Sequence, residues 1–127
     1  IFLKRLGVQG TLLGVDVIRG KELIDRDVNH KQLITYSRYH PLFVIVSVIG
    51  GQGFLFGRGN QQITSDILEQ VGKDNIIVIS TAEKLASLDR LCLLVDTGDK
   101  KMDAALSGYI RGRGDERQTL IVKVDSA

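Results

Sequence analysis

Hydrophobic residues gather in short, nearly uninterrupted runs that alternate with polar segments of helical character. The runs Leu42 to Ile49, Asn75 to Ile79 and Leu91 to Val95 alternate poorly between apolar and polar positions, which is typical of strands covered on both faces. Buried strands that alternate with short helices predict β-α-β units. We therefore expect an α/β fold with a mostly parallel sheet and short helices on both faces.

Capping residues predict where the helices begin. Asn29 and Gln32 have the spacing of a capping box, and that helix runs to about Tyr39 before Pro41 ends it. Three further helices are expected with these bounds: Thr64 or Ser65 to Val71, closed by Gly72; Ser80, in a capping box with Glu83, to about Leu88; and Lys100 to Ser107, capped by Asp99 and closed by Gly108.

Further strands are predicted near the two ends of the chain. Thr11 to Ile18 is apolar and β-branched, and after a turn the residues Glu22 to Asp25 form a short return strand. Tyr109 to Arg111 and Thr119 to Val124 are also predicted strands, joined by a polar, glycine-containing turn over Gly112 to Arg117. We expect this pair to add an antiparallel hairpin at the edge of the sheet.

Composition places the chain among globular proteins of a reducing compartment. Its 127 residues suit one domain, with 43% hydrophobic and 25% charged side chains. The net charge is only +2 and the basic residues are scattered, which argues against nucleic-acid or membrane binding. The single cysteine, Cys92, excludes an internal disulfide framework. No apolar run reaches the roughly 18 residues that span a bilayer, so we expect a cytoplasmic protein.

The strongest chemical signal is the glycine-rich segment from Gly50 to Gln62, which follows a buried strand and precedes a helix. Ligands bind open α/β sheets at this position, because glycines leave backbone amides accessible to an anion and the next helix adds a positive partial charge. Arg58 adds a guanidinium group suited to phosphate or carboxylate. The alternative is a structural loop that carries Phe54, Leu55 and Phe56 into the core. The candidate ligand-binding residues here are Gly50, Gly51, Gln52, Gly53, Gly57, Arg58, Gly59, Asn60 and Gln61.

A second candidate, Asp96-Thr97-Gly98-Asp99, also follows a predicted buried strand. Two carboxylates with a hydroxyl group can hold magnesium through water or orient a substrate hydroxyl. The alternative is that Asp99 only caps the next helix and Asp96 only ends a strand. We include Asp96, Thr97 and Asp99 among the candidate ligand-binding residues. No catalytic residue and no direct metal ligand is assigned.

Other polar residues give weaker signals. Asp16 lies inside a predicted strand, so its carboxylate needs a partner or exposure to solvent. His30 and His40 lack the spacing of metal ligands and suit surface positions. Arg111 and Arg113 can reach an anion from the late hairpin, although a solvated turn explains them equally well.

The motif IGGQGFLFGRGNQQ, from Ile49 to Gln62, and several shorter segments resemble the C-terminal part of the ATP-NAD kinase-like proteins of bacteria and archaea. The resemblance covers nearly the whole chain, and its central motif is long and specific. The shorter matching segments are Thr11 to Val17, Val71 to Gly72 with Asn75 to Val78, Leu94 to Asp99, and Leu106 to Tyr109.

This resemblance implies phosphoryl transfer from ATP or polyphosphate to the 2′-hydroxyl of NAD, with Mg²⁺. It also implies an N-terminal α/β domain with a Gly-Gly-Asp-Gly phosphate loop. Gly50-Gly51-Gln52-Gly53 has glutamine where the acidic residue would stand, so the role of that loop is not carried over. Because the chain begins at Ile1 rather than Met, we expect residues 1–127 to be a single domain, the C-terminal fragment of a larger protein. The partners implied are NAD or a related nucleotide and the N-terminal domain, with homo-oligomerisation left open.

Three functions are therefore open. The leading hypothesis is the C-terminal domain of an ATP- or polyphosphate-dependent NAD kinase, inactive alone, in which Arg58 is the principal cation of a phosphate-bearing ligand site. The second is a non-catalytic sensor or binding module for a nucleotide or sugar phosphate. The third is a structural domain whose glycine-rich segment packs against the N-terminal half or a second subunit.

Overall fold

A computed structural model describes residues 14–48, 53–57, 62–88, 92–114 and 119–127. Within these ranges β1 and β2 form a separate antiparallel hairpin, and the other strands form one six-stranded sheet. In chain order the elements are β1 (Val17–Arg19), β2 (Glu22–Asp25), α1 (His30–Tyr39), β3 (Val44–Ser47), β4 (Phe54–Phe56), α2 (Ser65–Val71), a 3-10 turn (Lys73–Asn75), β5 (Ile76–Ile79), α3 (Ala82–Ala86), β6 (Leu93–Val95), α4 (Lys100–Leu106), β7 (Gly108–Arg113) and β8 (Thr119–Ser126).

The six strands are arranged in the order β3-β5-β7-β8-β6-β4. In the described sheet only the β7–β8 pairing is antiparallel, and the other pairings are parallel. The predicted α/β fold with a mostly parallel sheet is therefore confirmed. Because the one antiparallel pairing lies in the middle, β3, β5 and β7 run in one direction while β4, β6 and β8 run in the other. The carboxyl ends of these two sets consequently lie at opposite ends of the sheet.

The C-terminal hairpin is present, but its predicted position at the edge of the sheet is wrong. β7 pairs with β5 and β8 pairs with β6, so the hairpin occupies the centre. Gly112, predicted to begin the turn, is a buried residue of β7. A Cβ built on it would lie 3.0 Å from the carbonyl oxygen of Val78, and this absence of a side chain lets β5 and β7 approach closely.

The core lies on one face of the sheet. Alternate residues of the strands, among them Val46, Val78, Ile110 and Val122, turn to this face and are buried. α2 packs against α1 and α4, and α4 contacts β8, which gives this face a helical layer. Alternate burial of apolar side chains supplies most of the stabilisation that the sheet gains on folding.

The opposite face is exposed along β3, β7 and β8, and the prediction of helices on both faces is not confirmed in the described residues. Phe43, Ile45, Tyr109 and Ile121 are 67%, 48%, 66% and 75% exposed. The expectation that Leu42 to Ile49 forms a strand covered on both faces is wrong for its described part. β3 is an edge strand, and an edge position leaves part of an apolar strand uncovered.

The helix caps confirm one capping box and correct another. The Asn29 side chain accepts from the Gln32 amide and the Gln32 side chain accepts from the Asn29 amide, both at 2.9 Å. α3 is capped by Thr81, whose hydroxyl oxygen accepts from the Lys84 amide at 3.1 Å, and not by Ser80. Ser80 is unsuited to that position because its amide still belongs to the sheet and donates to the carbonyl of Arg113.

None of the helices described in the structure is long and apolar enough to cross a membrane.

Candidate functional site

The glycine-rich segment is not one loop, because Phe54–Phe56 within it forms strand β4. This strand pairs in parallel with β6, and its three side chains are buried. Burying three large apolar side chains is worth several kcal/mol, about 1.5–3 kcal/mol each, so the segment enters the sheet. The alternative that Phe54, Leu55 and Phe56 reach the core is confirmed.

Two glycines flank β4 and lie at opposite ends of it. Gly53 precedes the strand with φ +80°, and a Cβ there would lie 3.0 Å from the side chain of Leu88. Gly57 follows the strand with φ +98°, and a Cβ there would lie 1.8 Å from the carbonyl oxygen of Asp96. A positive φ favours glycine at both positions, and at Gly57 the approach of the neighbouring backbone also excludes any side chain.

Gly57 and the Asp96-Thr97-Gly98-Asp99 turn lie at the same end of the sheet. β4 and β6 are parallel neighbours, so the residues that follow them emerge side by side. The Asp96 amide donates to the carbonyl of Phe56 at 3.1 Å, which extends the β4–β6 ladder up to the turn. The structure thus brings together Gly57 and the acidic turn, while Gly53 lies at the other end of β4.

The remaining predicted residues of the segment lie outside the described ranges, and their roles stay predictions. They are Gly50, Gly51, Gln52, Arg58, Gly59, Asn60 and Gln61.

The Thr97 side chain is held by an aspartate of α4 that the sequence did not single out. The Asp103 carboxylate accepts from the Thr97 amide at 3.0 Å and from its hydroxyl at 2.7 Å, through the same oxygen Oδ1. A signal was available, since an acidic residue in the first turn of a helix often accepts hydrogen bonds from the preceding turn. Thr97 is consequently fixed in position and its hydroxyl proton is already donated.

Asp99 caps α4, as predicted. Its Oδ1 accepts from the amides of Lys101 at 3.0 Å and Met102 at 3.3 Å, and the helix ends at Leu106 with Ser107 as its C-cap. The capping role is thus confirmed, and a role in ligand binding stays a prediction. Asp96, which is half-buried, ends the strand and begins the turn.

A family model described as the ATP-NAD kinase C-terminal domain matches residues 1–124. The chain belongs to this family. No curated protein and no solved structure matches the chain. The resemblance that the sequence motifs indicated is therefore confirmed over nearly the whole chain, and it includes both the glycine-rich segment and the acidic turn.

In this ATP-NAD kinase C-terminal domain, the acidic turn does not by itself form a metal centre. Among the residues that the structure describes, no three His, Cys, Asp or Glu side chains are placed to hold a metal ion. The Oδ1 atom of Asp99 is committed to the cap and that of Asp103 to Thr97. This end of the sheet presents ordered backbone groups and the Thr97 hydroxyl, which Asp103 fixes in position. It also presents carboxylate oxygens, which can accept hydrogen bonds from hydroxyl groups.

A depression of about 370 Å³ lies elsewhere in this domain, at the C-terminal ends of α1 and α2. It holds none of the candidate ligand-binding residues, so we do not equate it with the predicted site. Its lining residues are Ser37, Arg38, Tyr39, His40, Pro41, Leu42, Gln70 and Val71.

The weaker candidates are accounted for by local structure. The Asp16 carboxylate accepts from the Asp27 amide at 2.9 Å, which gives it the partner that its half-buried position needs. Cys92 is buried, as expected of a small core residue. His30 lies at the surface, 3.4 Å from Asp66. Arg111 donates to the carbonyl of Asp74 at 2.7 Å.

Proposed function

We propose that this chain is the C-terminal domain of an ATP- or polyphosphate-dependent NAD kinase and that it supplies one wall of a phosphate-bearing ligand site. The observation that supports this most directly is the contact between Gly57 and Asp96. It brings Gly57 of the glycine-rich segment beside the acidic turn, at the shared carboxyl ends of β4 and β6. Ligands of α/β sheets bind outside the carboxyl ends of strands.

Arg58 is the proposed principal cation of this wall, since it follows Gly57 directly in sequence. A guanidinium group donates two parallel hydrogen bonds to a phosphate, which gives both charge and orientation. Asn60 and Gln61 are proposed to add neutral donors. Asp96 and Asp99 are proposed to accept from hydroxyl groups of the nucleotide.

The described carboxylates do not form a metal site by themselves, and we derive no step through the metal here. ATP or polyphosphate and Mg²⁺ are proposed for the parent enzyme, with an N-terminal domain. Phosphoryl transfer depends chiefly on positioning and on stabilisation of charge, and both can be shared between two domains. The chain alone is therefore proposed to bind without turnover.

An assay of the parent enzyme with NAD and either ATP or polyphosphate tests this function by the formation of NADP. We expect turnover with at least one donor. Arg58→Ala is expected to lower kcat/KM by about tenfold or more, because a hydrogen bond to a charged group is worth about 1.5–3 kcal/mol. Arg38→Ala, on the exposed surface of α1, is the matched control. An enzyme that forms no NADP with either donor would remove the kinase proposal.

Calorimetry on the 127-residue chain separates the alternatives. Binding of NAD, NADP or polyphosphate that Arg58→Ala abolishes, with no turnover in the parent, would favour a sensor or binding module. No binding, together with an Arg58→Ala parent of unchanged activity, would favour a structural role. The burial of Phe54–Phe56 already gives part of the glycine-rich segment a structural role.

A further inference from the structure

Tyr109 is an aromatic residue that the fold leaves exposed to solvent on the face of the sheet opposite the helices. It is the second residue of β7 and is 66% exposed, although β7 is a central strand. β7 runs opposite to β8, and β8 is parallel to β6, so β7 begins at the end of the sheet where β6 finishes. Tyr109 therefore lies towards the same end of the sheet as Gly57 and the acidic turn.

Two cations flank Tyr109. Lys123 is its directly opposite partner on β8, and the Cβ atoms of such a pair are about 4.5–5.5 Å apart. On the other side, the Arg111 guanidinium donates to the carbonyl of Asp74 at 2.7 Å. Asp74 belongs to the 3-10 turn that precedes β5, and this turn contacts β7. Because β5 and β7 are parallel and begin at the same end of the sheet, this bond draws the guanidinium towards Tyr109.

An exposed aromatic ring between two cations suits a ligand that joins an aromatic ring to negative charge. Neither Lys123 nor Arg111 forms an ion pair with another residue in the described ranges. Nucleobases stack on exposed aromatic side chains, and lysine and arginine attract phosphate groups. We infer that Tyr109 stacks on the adenine ring of the dinucleotide, an assignment that rests on the proposed function, while Lys123 and Arg111 attract its phosphates.

The distance from Tyr109 to the acidic turn suits such a ligand. β7 and β6 are both neighbours of β8, so Tyr109 and Asp96 are two strand spacings apart across the sheet. The register along β8 puts them four residues apart along the strands. With strands about 4.8 Å apart and a rise of about 3.3 Å per residue, about 16 Å separates their Cα atoms. The adenosine diphosphate part of an extended dinucleotide can bridge this distance together with the side chains at both ends.

Charge decides which ring of the dinucleotide lies against Tyr109. The nicotinamide ring of NAD is positively charged, so Lys123 and Arg111 repel it. The adenine ring is neutral, and its nearest phosphates are attracted by the same two cations. The adenine end is therefore assigned to Tyr109, and the diphosphate extends from there towards Gly57 and the acidic turn.

Calorimetry on the 127-residue chain tests the assignment with adenosine monophosphate as the probe. Tyr109→Ala should weaken its binding by about tenfold or more, because the stacking of one base is lost. Tyr109→Phe keeps the ring and should bind nearly as well as wild type. Ribose 5-phosphate carries no base, so its binding should not respond to either substitution. Tyr39→Ala is the matched control, since Tyr39 is 77% exposed at the end of α1 and should leave binding unchanged.

Nuclear magnetic resonance of the unsubstituted chain keeps the test independent of the variants' folding. The sequence has three tyrosines, and the ring signals of Tyr109 are identified by their absence from Tyr109→Phe. Adenosine monophosphate should shift these signals and leave those of Tyr36 and Tyr39 in place. Nicotinamide mononucleotide should shift them less. A larger shift with nicotinamide mononucleotide would overturn the assignment of adenine to Tyr109.

Arg58→Ala separates this assignment from the proposed function. If Arg58→Ala weakens the binding of NAD while Tyr109→Ala does not, the phosphate wall stands and the role of Tyr109 is overturned. A chain that binds neither adenosine monophosphate nor NAD would overturn the role of Tyr109 together with the binding role of the wall, even if the parent enzyme forms NADP. Unchanged nucleotide binding in Tyr109→Ala with weaker attachment to the N-terminal domain would also overturn it and would indicate a protein contact at Tyr109.

Discussion

Gly57 and Asp96 are in backbone contact across β4 and β6. A Cβ built on Gly57 would lie 1.8 Å from the carbonyl oxygen of Asp96 and 2.4 Å from its carbonyl carbon. The ladder bond from the Asp96 amide to Phe56 fixes the two strands at this separation. The glycine at this position is therefore required by packing, whether or not a ligand binds beside it.

Gly57→Ala is expected to destabilise the fold more than alanine at an open glycine with a similar φ. Gly98, with φ +84° and no atom within 4 Å of a built Cβ, is the control. Both variants pay about 1–2 kcal/mol for left-handed backbone. Gly57→Ala adds about 1–3 kcal/mol, because a strand must shift to admit the methyl group. Urea denaturation measures the free energy of unfolding of both variants. Equal losses of stability would show that the contact with the Asp96 carbonyl does not exclude a side chain at position 57.

Thr97→Val is expected to lower the free energy of unfolding by about 1–3 kcal/mol, the range for losing a hydrogen bond to a charged partner. The substitution keeps the shape of the side chain but removes the hydroxyl that donates to Asp103 at 2.7 Å. Thr97→Ser retains this donor and should lie close to wild type. Thermal or urea denaturation provides the comparison. If valine and serine behave alike, the hydroxyl does not hold the turn.

The sequence predicts those parts of the fold that are determined by neighbouring residues. The apolar runs around Val46, Val78 and Val95 are strands in the structure, since a short run of consecutive apolar residues can be recognised without knowledge of distant partners. The Asn29 capping box and the Asp99 cap are also local, because each satisfies amides within three residues. These predictions are confirmed.

Features that depend on distant partners could not be predicted in this way. β4 has only three residues, Phe54–Phe56, and glycines on both sides favour a loop until β6 is placed beside it. The central position of the β7–β8 hairpin depends on strand order, which no local pattern encodes. The candidate site is thus predicted in its components, while the meeting of Gly57 with Asp96 required the structure.

The loss of stability at acid pH should depend on the Thr64 hydroxyl. The pKa of Asp66 is lowered, chiefly by the hydrogen bond from the Thr64 hydroxyl and further by His30, while partial burial acts in the opposite direction. A carboxylate whose folded pKa lies below its unfolded value of about 3.9 stabilises the fold above that value. This contribution is lost as pH falls through the folded pKa.

Thr64→Val should therefore reduce stability above about pH 5, and the difference from wild type should shrink steadily below about pH 4. Thr64→Ser keeps the donor and should follow the wild-type curve. Urea denaturation at a series of pH values checks this expectation. A difference between Thr64→Val and wild type that stays constant with pH would mean that the hydrogen bond does not control the Asp66 carboxyl.

Substitutions of Asp99 separate its cap from any role in binding. Asp99→Ala removes the acceptor for the amides of Lys101 and Met102 and should cost about 0.5–2 kcal/mol of stability. Asp99→Asn keeps a side-chain oxygen and caps nearly as well, so its unfolding curve should match wild type, although the carboxylate charge is gone. In the proposed parent kinase, Asp99→Asn should still lower NADP formation if the carboxylate accepts from a nucleotide hydroxyl. A stable Asp99→Asn enzyme with full activity would restrict Asp99 to capping α4 and would leave Asp96 as the remaining carboxylate candidate of the turn.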